Sequence, residues 1–286
     1  MAPTFLQIIL LGLIQGAAEL LPVSSSAHVI VVEKLMRLDP ASPEMTFLLV
    51  MLHTGTMLAV IVYFWRAWRE GIFASQAQFT AAARQIVIAT VATLVLGGAL
   101  KLLIEKVILG GGKAEIEHLF SSLPLIGTAL LAAGVVILWS ARRARSVAPR
   151  DAVSDRSALW IGLAQGVCIP FRGLSRSGVT ISVGLLQGVA QKPAEVFSFA
   201  LAVVITPLAI AWEAHRLLKV HPEVAHADHL LTLLRPGLIG LCASFAAGLL
   251  ALVWLSAWLE HGRWHRFGYY CVAAAVVVYL LAARGF

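Results

Sequence analysis

Residues 12–28 read Gly12-Leu13-Ile14-Gln15-Gly16-Ala17-Ala18-Glu19-Leu20-Leu21-Pro22-Val23-Ser24-Ser25-Ser26-Ala27-His28. An apolar helix runs here into a carboxylate, a proline, three hydroxyls and an imidazole before apolar sequence resumes. Gln15 and Glu19 are four residues apart, so they share one helical face. Pro22 ends the helix, because the residue before a proline is biased away from the α conformation. The run from Phe5 to Leu21 falls short of the ~20 apolar residues that a crossing helix needs. It is therefore expected to enter a bilayer and turn back. A second short stretch, Ala158–Ile169, leads in the same way into Cys168-Ile169-Pro170-Phe171-Arg172-Gly173-Leu174-Ser175-Arg176-Ser177-Gly178-Val179-Thr180.

The rest of the chain fixes the medium. Its 286 residues are 59% hydrophobic and only 13% charged, with a mean hydropathy of +0.86. A soluble domain carries roughly 25% charged and about 45–50% apolar residues. A water-soluble globule, a disordered chain and a disulfide scaffold are all excluded; Cys168, Cys242 and Cys271 lie in apolar stretches without the spacing of a metal cluster. Six segments are long and apolar enough to cross: Phe47–Trp65, Gln85–Ile104, Leu123–Ser140, Phe197–Glu213, Gly237–Leu259 and Phe267–Ala283. The expected fold is an all-α integral membrane protein, one transmembrane domain of six crossing helices plus two re-entrant helix pairs.

The net charge of +7 sits in short loops between apolar runs, which marks membrane topology and not nucleic-acid binding. Arg66, Arg69 and Arg84 follow the first crossing, and Arg142, Arg143, Arg145, Arg150 and Arg156 follow the third. Excess cations mark the cytoplasmic side, so these two loops and the segment with Arg263 and Arg266 are placed inside. The mixed loop with Glu105, Lys106, Lys113, Glu115 and Glu117 is placed outside. Loop 214–234 runs against the rule, carrying Arg216 and Lys219 on the outer side. The N-terminus lacks the basic region of a cleavable signal peptide. Trp65, Trp68, Trp258 and Trp264 sit near helix ends, as interfacial anchors do.

The chain also repeats itself. Gly12-Leu13-Ile14-Gln15-Gly16 recurs 150 residues on as Gly162-Leu163-Ala164-Gln165-Gly166, and Pro43, Phe47, Thr56, Leu58 and Ala59 match Pro193, Phe197, Thr206, Leu208 and Ala209 at the same offset. Ser24-Ser25-Ser26 aligns with Ser175-Arg176-Ser177. Repeat 1 spans about 1–141 and repeat 2 about 152–286, joined by the basic loop. Three crossings per half place the second copy upside down, giving inverted repeats whose broken helices build a site near the midplane. Non-helical backbone at that depth must be buried in protein or line a wet cavity.

Both turns suit an anion. A helix start offers free N–H groups and a positive dipole end. The arginine fork matches phosphate in bidentate fashion, and a tight Gly-containing turn forms a backbone nest. The bland reading makes the serines helix caps, pairs Glu19 with a structural cation and lets the arginines snorkel to head groups. Against it stands the rule that ionisable groups inside a membrane are functional by default. One carboxylate, one imidazole, one or two guanidiniums and several hydroxyls together fit hydrolysis of a phosphoric anhydride. The attacker is a Ser25 hydroxyl, the His28 imidazole or water, with His28 then the general base. A transporter or flippase for polyprenyl-phosphate lipids is the alternative that inverted repeats also suit. His53, within the first crossing, reads as a core or channel histidine. His215, His221, His226 and His229 read as solvated. The acid-phosphatase signature, which needs His six residues after the Ser-Arg arginine, is absent, since position 182 is Ser182.

The two motifs resemble those of the bacterial undecaprenyl-diphosphate phosphatases linked to bacitracin resistance. The first is similar to that family's (E/Q)xxxE, Pro-Val-Ser-Ser and His pattern, and the second to its Pro-Gly-x-Ser-Arg-Ser-Gly-x-Thr. The likeness extends along most of the chain, including Glu195-Val196-Phe197-Ser198-Phe199. The resemblance implies removal of the terminal phosphate from a C55 polyprenyl diphosphate in the bacterial inner membrane, regenerating the lipid carrier for peptidoglycan. By position it implies that Glu19, Ser25, His28 and Arg176 are catalytic and that Ser24, Ser26, Arg172, Ser175, Ser177 and Thr180 bind phosphate. It further implies a divalent cation, Mg²⁺ or Ca²⁺, held by Glu19 and Gln15. A homodimer stays open. Two departures stand out. Gln15 replaces a second Glu, leaving lipid phosphates and water to complete any metal shell. Phe171-Arg172 is inserted between Pro170 and Gly173, adding a cation that could grip the second phosphate.

Overall fold

The computed structural model describes residues 3–40, 42–108, 122–146, 148–222 and 227–285; Lys113, Glu115, Glu117 and His226 lie outside them. Ten α-helices follow in order: α1 (Phe5–Leu20), α2 (Ser25–Leu35), α3 (Pro43–Gly71), α4 (Gln76–Leu103), α5 (Leu123–Arg143), α6 (Asp155–Cys168), α7 (Arg176–Leu186), α8 (Gln191–Val220), α9 (Ala227–Glu260) and α10 (His265–Ala283). Six of them, α3, α4, α5, α8, α9 and α10, are long and apolar enough to cross a membrane. Most run past the apolar segments read from hydropathy because polar caps extend them. Ser42 and Ser75 accept the N–H groups of Met45 and Gln78 at 3.3 and 3.2 Å, which satisfies donors that a helix start leaves open. Large apolar side chains such as Val62, Val95, Leu250 and Leu280 are exposed, as on a surface whose solvent is lipid.

Helices α1 and α6, which open the two halves of the chain, are too short to cross. α1 has 16 residues and α6 has 14, so each reaches roughly 21–24 Å at 1.5 Å per residue. That is too little to cross a ~30 Å hydrocarbon core with its headgroup margins. They enter from opposite ends of the bundle. The start of α6 meets the start of α4, where Arg84 pairs with Asp155 at 3.1 Å and Gln85 donates to the Val153 carbonyl at 2.7 Å. Trp68 at the end of α3 bonds to Val196 at the start of α8 at 3.4 Å, and Trp264 ties the α9–α10 turn to Ser140 of α5 at 3.1 Å. The two arginine-rich loops thus share one end with the turn carrying Arg263 and Arg266. The start of α1 lies at the other end, where Ile8 packs with Leu48 and Leu52 of α3.

The repeated Gly-x-x-x-Gly segments explain how the short helices dock. Gly12 and Gly16 of α1 press against α9: a Cβ on Gly12 would lie 2.7 Å from Ala243, and one on Gly16 would collide with the Ser244 carbonyl. Gly162 and Gly166 of α6 press in the same way against α4, at Ala89 and Thr93. Lipid tails give apolar helices no hydrophobic reason to associate, so close approach through small residues supplies the attraction. α1 on α9, α3 on α9, α5 on α10 and α6 on α4 are the main helix pairings, with α3 on α8 next. They are compatible with two halves related by inversion.

Gly16→Ala is expected to lower stability in detergent by about 1–3 kcal/mol, the usual cost of overpacking. Gly98→Ala, on α4 with no neighbour within 4 Å, should leave it unchanged or raise it by up to ~1 kcal/mol of helix propensity. Thermal melts of the two variants check the contrast.

Candidate active site

The chain leaves α1 at Leu21 in extended conformation, with the Leu21 N–H still bonded to the Ala17 carbonyl at 3.0 Å. It turns at Pro22 and enters α2 through Ser24, whose φ of 68° is left-handed. A non-glycine residue there costs of order 1–3 kcal/mol, and such strain gathers at functional sites. His28 holds the turn in place. Its Nδ1–H donates to the Ser24 carbonyl at 2.7 Å. The second turn, after α6, bends at Gly173 with φ 102°; a Cβ there would stand 2.6 Å from the Ile126 carbonyl. Ser175 caps α7 by accepting the Gly178 N–H at 3.2 Å.

The two turns meet. Arg176 Nη2 donates to Glu19 Oε1 at 2.9 Å across 157 residues of sequence. The Gly173 N–H donates to Ser26 Oγ at 3.2 Å, and Ser177 Oγ donates to the Leu21 carbonyl at 3.3 Å. Ser25 Oγ donates to Glu19 Oε2, and Gln15 Nε2 donates to the same oxygen at 3.4 Å. The pair is largely sheltered, with 18% of the Glu19 side chain and 22% of the Arg176 side chain exposed. One nitrogen is left over. Arg176 Nη1 is buried and has no hydrogen-bond partner.

Between the turns lies a cavity of about 220 Å³. Glu19, Ser24, Ser25, Ser26, Arg172, Ser175, Arg176 and Ser177 all line it, as do Cys168 and His53. The N-termini of α2 and α7 both open onto this space, so two helix dipoles favour an anion there. Pockets for drug-sized ligands run about 300–1,000 Å³; this one takes a phosphate headgroup and leaves a lipid tail outside. Phe171 and Arg172 are exposed and form part of its rim.

Three residues singled out in the sequence stand elsewhere. Gln15 is buried behind Glu19 and orients its carboxylate. Thr180 Oγ1 donates to the Arg176 carbonyl at 2.8 Å and lies 2.6 Å from Ser198 Oγ, so it braces α7 against α8. His28 is not among the residues lining the cavity: its Nε2 accepts from the Tyr270 hydroxyl at 2.7 Å, and the two rings stack. The imidazole that does face the cavity is His53, which hydropathy alone assigns to the helix interior.

The donor set does not form a resident divalent-cation site. Glu19 is the single carboxylate, both its oxygens already accept hydrogen bonds, and Gln15 presents its amide nitrogen. Among the described residues no group of three or more His, Cys, Asp or Glu side chains is placed to hold a metal ion.

A family model described as Bacitracin resistance protein BacA matches residues 8–277. Undecaprenyl-diphosphatase 2 of Acinetobacter baylyi is 53% identical over 284 residues, covering 98% of this chain and 99% of that protein. The undecaprenyl-diphosphatase of Korarchaeum cryptofilum is 33% identical over 286 residues, covering 95% of this chain and 97% of that one. That of Moorella thermoacetica is 33% identical over 276 residues, covering 96% and 97%.

Cys168 offers a direct probe of the cavity. In a Cys242→Ala background, with Cys271 buried, N-ethylmaleimide is expected to modify Cys168, and inorganic diphosphate to slow that reaction at least threefold. A labelling rate indifferent to diphosphate would contradict an anion site between the turns.

Proposed function

The chain belongs to the bacitracin resistance protein BacA family, and from that membership and the cavity's geometry we infer that it hydrolyses undecaprenyl diphosphate. The products are undecaprenyl phosphate and inorganic phosphate, made within the membrane that six apolar helices span. The observation that carries this reading is the Glu19–Arg176 bridge with its unpartnered Nη1. A guanidinium on the cavity wall, anchored to Glu19 by one nitrogen and with the other buried and without a partner among the described residues, has a donor to spare for a phosphoryl oxygen.

The diphosphate enters between the N-termini of α2 and α7, with the prenyl chain left in lipid. Arg176, Ser175, Ser177 and the backbone of the second turn bind the terminal phosphate. They neutralise charge as it develops, which in preorganised sites is the largest catalytic contribution. Arg172 on the rim reaches the phosphate nearer the lipid. Ser25 Oγ, hydrogen-bonded to Glu19, attacks the terminal phosphorus. Its proton passes to Glu19, the bridging P–O bond breaks, and undecaprenyl phosphate leaves. Water then cleaves the Ser25 ester and releases phosphate. His28 and Thr180 act one step removed, by fixing the Ser24–Ser25 turn and the first turn of α7. Mg²⁺ or Ca²⁺ would come chelated to the diphosphate itself, since Mg²⁺ characteristically keeps substrate phosphates and water among its ligands. Its chemistry there is charge neutralisation, and no step above depends on it.

Phosphate release from undecaprenyl diphosphate by the purified protein in detergent tests the reading. Wild type should turn over, and Arg176→Ala should lose at least ~10³-fold in kcat, as loss of a main charge-stabilising donor does, while still running as a monodisperse species. Turnover retained in Arg176→Ala would overturn the assignment. Lipid binding without release by the wild type is what a carrier would give.

A further inference from the structure

His53 differs from every other polar group on the cavity wall in what its ring leaves free. Its Nδ1–H donates to the Leu49 carbonyl, one helical turn back, at 2.8 Å. A carbonyl only accepts, so Nδ1 carries a proton, and in the neutral ring Nε2 keeps its lone pair. Among the described residues Nε2 makes no hydrogen bond, and the side chain lines the same cavity as Glu19. His28 is the opposite case, with both ring nitrogens occupied by Ser24 and Tyr270.

The backbone under His53 is fixed on both sides. Ser244 Oγ of α9 donates to the Leu52 carbonyl at 2.9 Å. Thr56 Oγ1 donates to the His53 carbonyl itself at 2.9 Å. At Gly55 a Cβ would strike α9 at Leu241 and Ser244, so this stretch of α3 sits as close to its neighbour as two backbones allow. A ring on such a support, on the wall of the cavity with one nitrogen tied and the other free of hydrogen bonds, is held in place for proton transfer. The repeat partner of His53 is Val203, so the feature belongs to one half alone.

We propose that His53 is the general base of the hydrolytic step. Its Nε2 takes a proton from the water that attacks phosphorus; the new O–P bond forms as the Ser25 Oγ–P bond breaks. The proton held by Glu19 returns to Ser25, and that on His53 leaves with the departing phosphate. The proposal rests on the phosphatase reading and adds a residue to it.

Steady-state phosphate release from undecaprenyl diphosphate tests it in His53→Ala and His53→Asn, the second keeping a donor near the Leu49 carbonyl. Both variants should lose about 10²–10⁴-fold in kcat, the range for a missing general base, with KM within threefold of wild type. Added imidazole should restore at least tenfold in His53→Ala. Should His53→Ala fail to fold, kcat and KM of His53→Asn decide. A kcat within threefold of wild type, or a loss in a folded His53→Ala protein that imidazole does not recover, overturns the proposal alone. A wild-type protein that binds the lipid and releases no phosphate overturns the phosphatase reading, and this assignment with it.

Discussion

A carboxylate and a guanidinium placed inside a membrane protein each need the other. Charge in low dielectric is costly unless it is paired and hydrogen-bonded, and Glu19 and Arg176 are contributed by turns that are remote in sequence. Their bridge determines the rest of the centre. It draws the start of α7 against the end of α1 and brings the three serines after Pro22 opposite the Ser-Arg-Ser turn. It also leaves one guanidinium nitrogen without a partner. The protein thereby holds a cation whose charge Glu19 balances and whose spare hydrogen-bonding capacity is available to an anion. The same carboxylate accepts from Ser25, so the group that steadies the cation also holds the hydroxyl proposed to attack.

Such a centre needs two helices too short to cross to end without exposing their polar ends to lipid. The glycines at 12, 16, 162 and 166 make that possible by letting α1 and α6 lie directly on α9 and α4. The turns that follow are buried against protein and face a cavity, the one setting in which irregular backbone is tolerated within a membrane. Strain is concentrated at Ser24, and His28 with Tyr270 holds it there. Catalytic geometry and helix packing are thus set by the same few contacts.

Much of this was legible in the amino-acid order because it is written in local signals. Apolar length marks the six crossings, Pro22 and Gly173 mark the turns, and the 150-residue echo pairs the two short helices. The grouping of Glu19, the serines, Arg172 and Arg176 around one space follows from that echo. What could not be read is which ring nitrogen or hydroxyl faces the cavity, since that depends on partners far away in sequence. His28 sits in the right motif, yet its ring is claimed by Tyr270, 242 residues on. Thr180 lies one turn from Arg176 and is claimed by Ser198. His53 read as a core or channel residue because a single histidine in an apolar helix carries no motif, and only the packing of α3 on α9 puts it on the wall that Glu19 also lines. Its spacing from Leu49 hinted at the tied nitrogen but not at the direction of the other.

The account stands on coupling between the two turns, and a double-mutant cycle on unfolding stability measures it directly. Glu19→Gln and Arg176→Gln should each destabilise the protein, because each strands a sheltered charge. Together they should cost about 1–3 kcal/mol less than the sum of the two, as residues in direct contact do. Effects that add to within about 0.5 kcal/mol would mean that the two groups do not meet, and would contradict a single centre built from both halves of the chain.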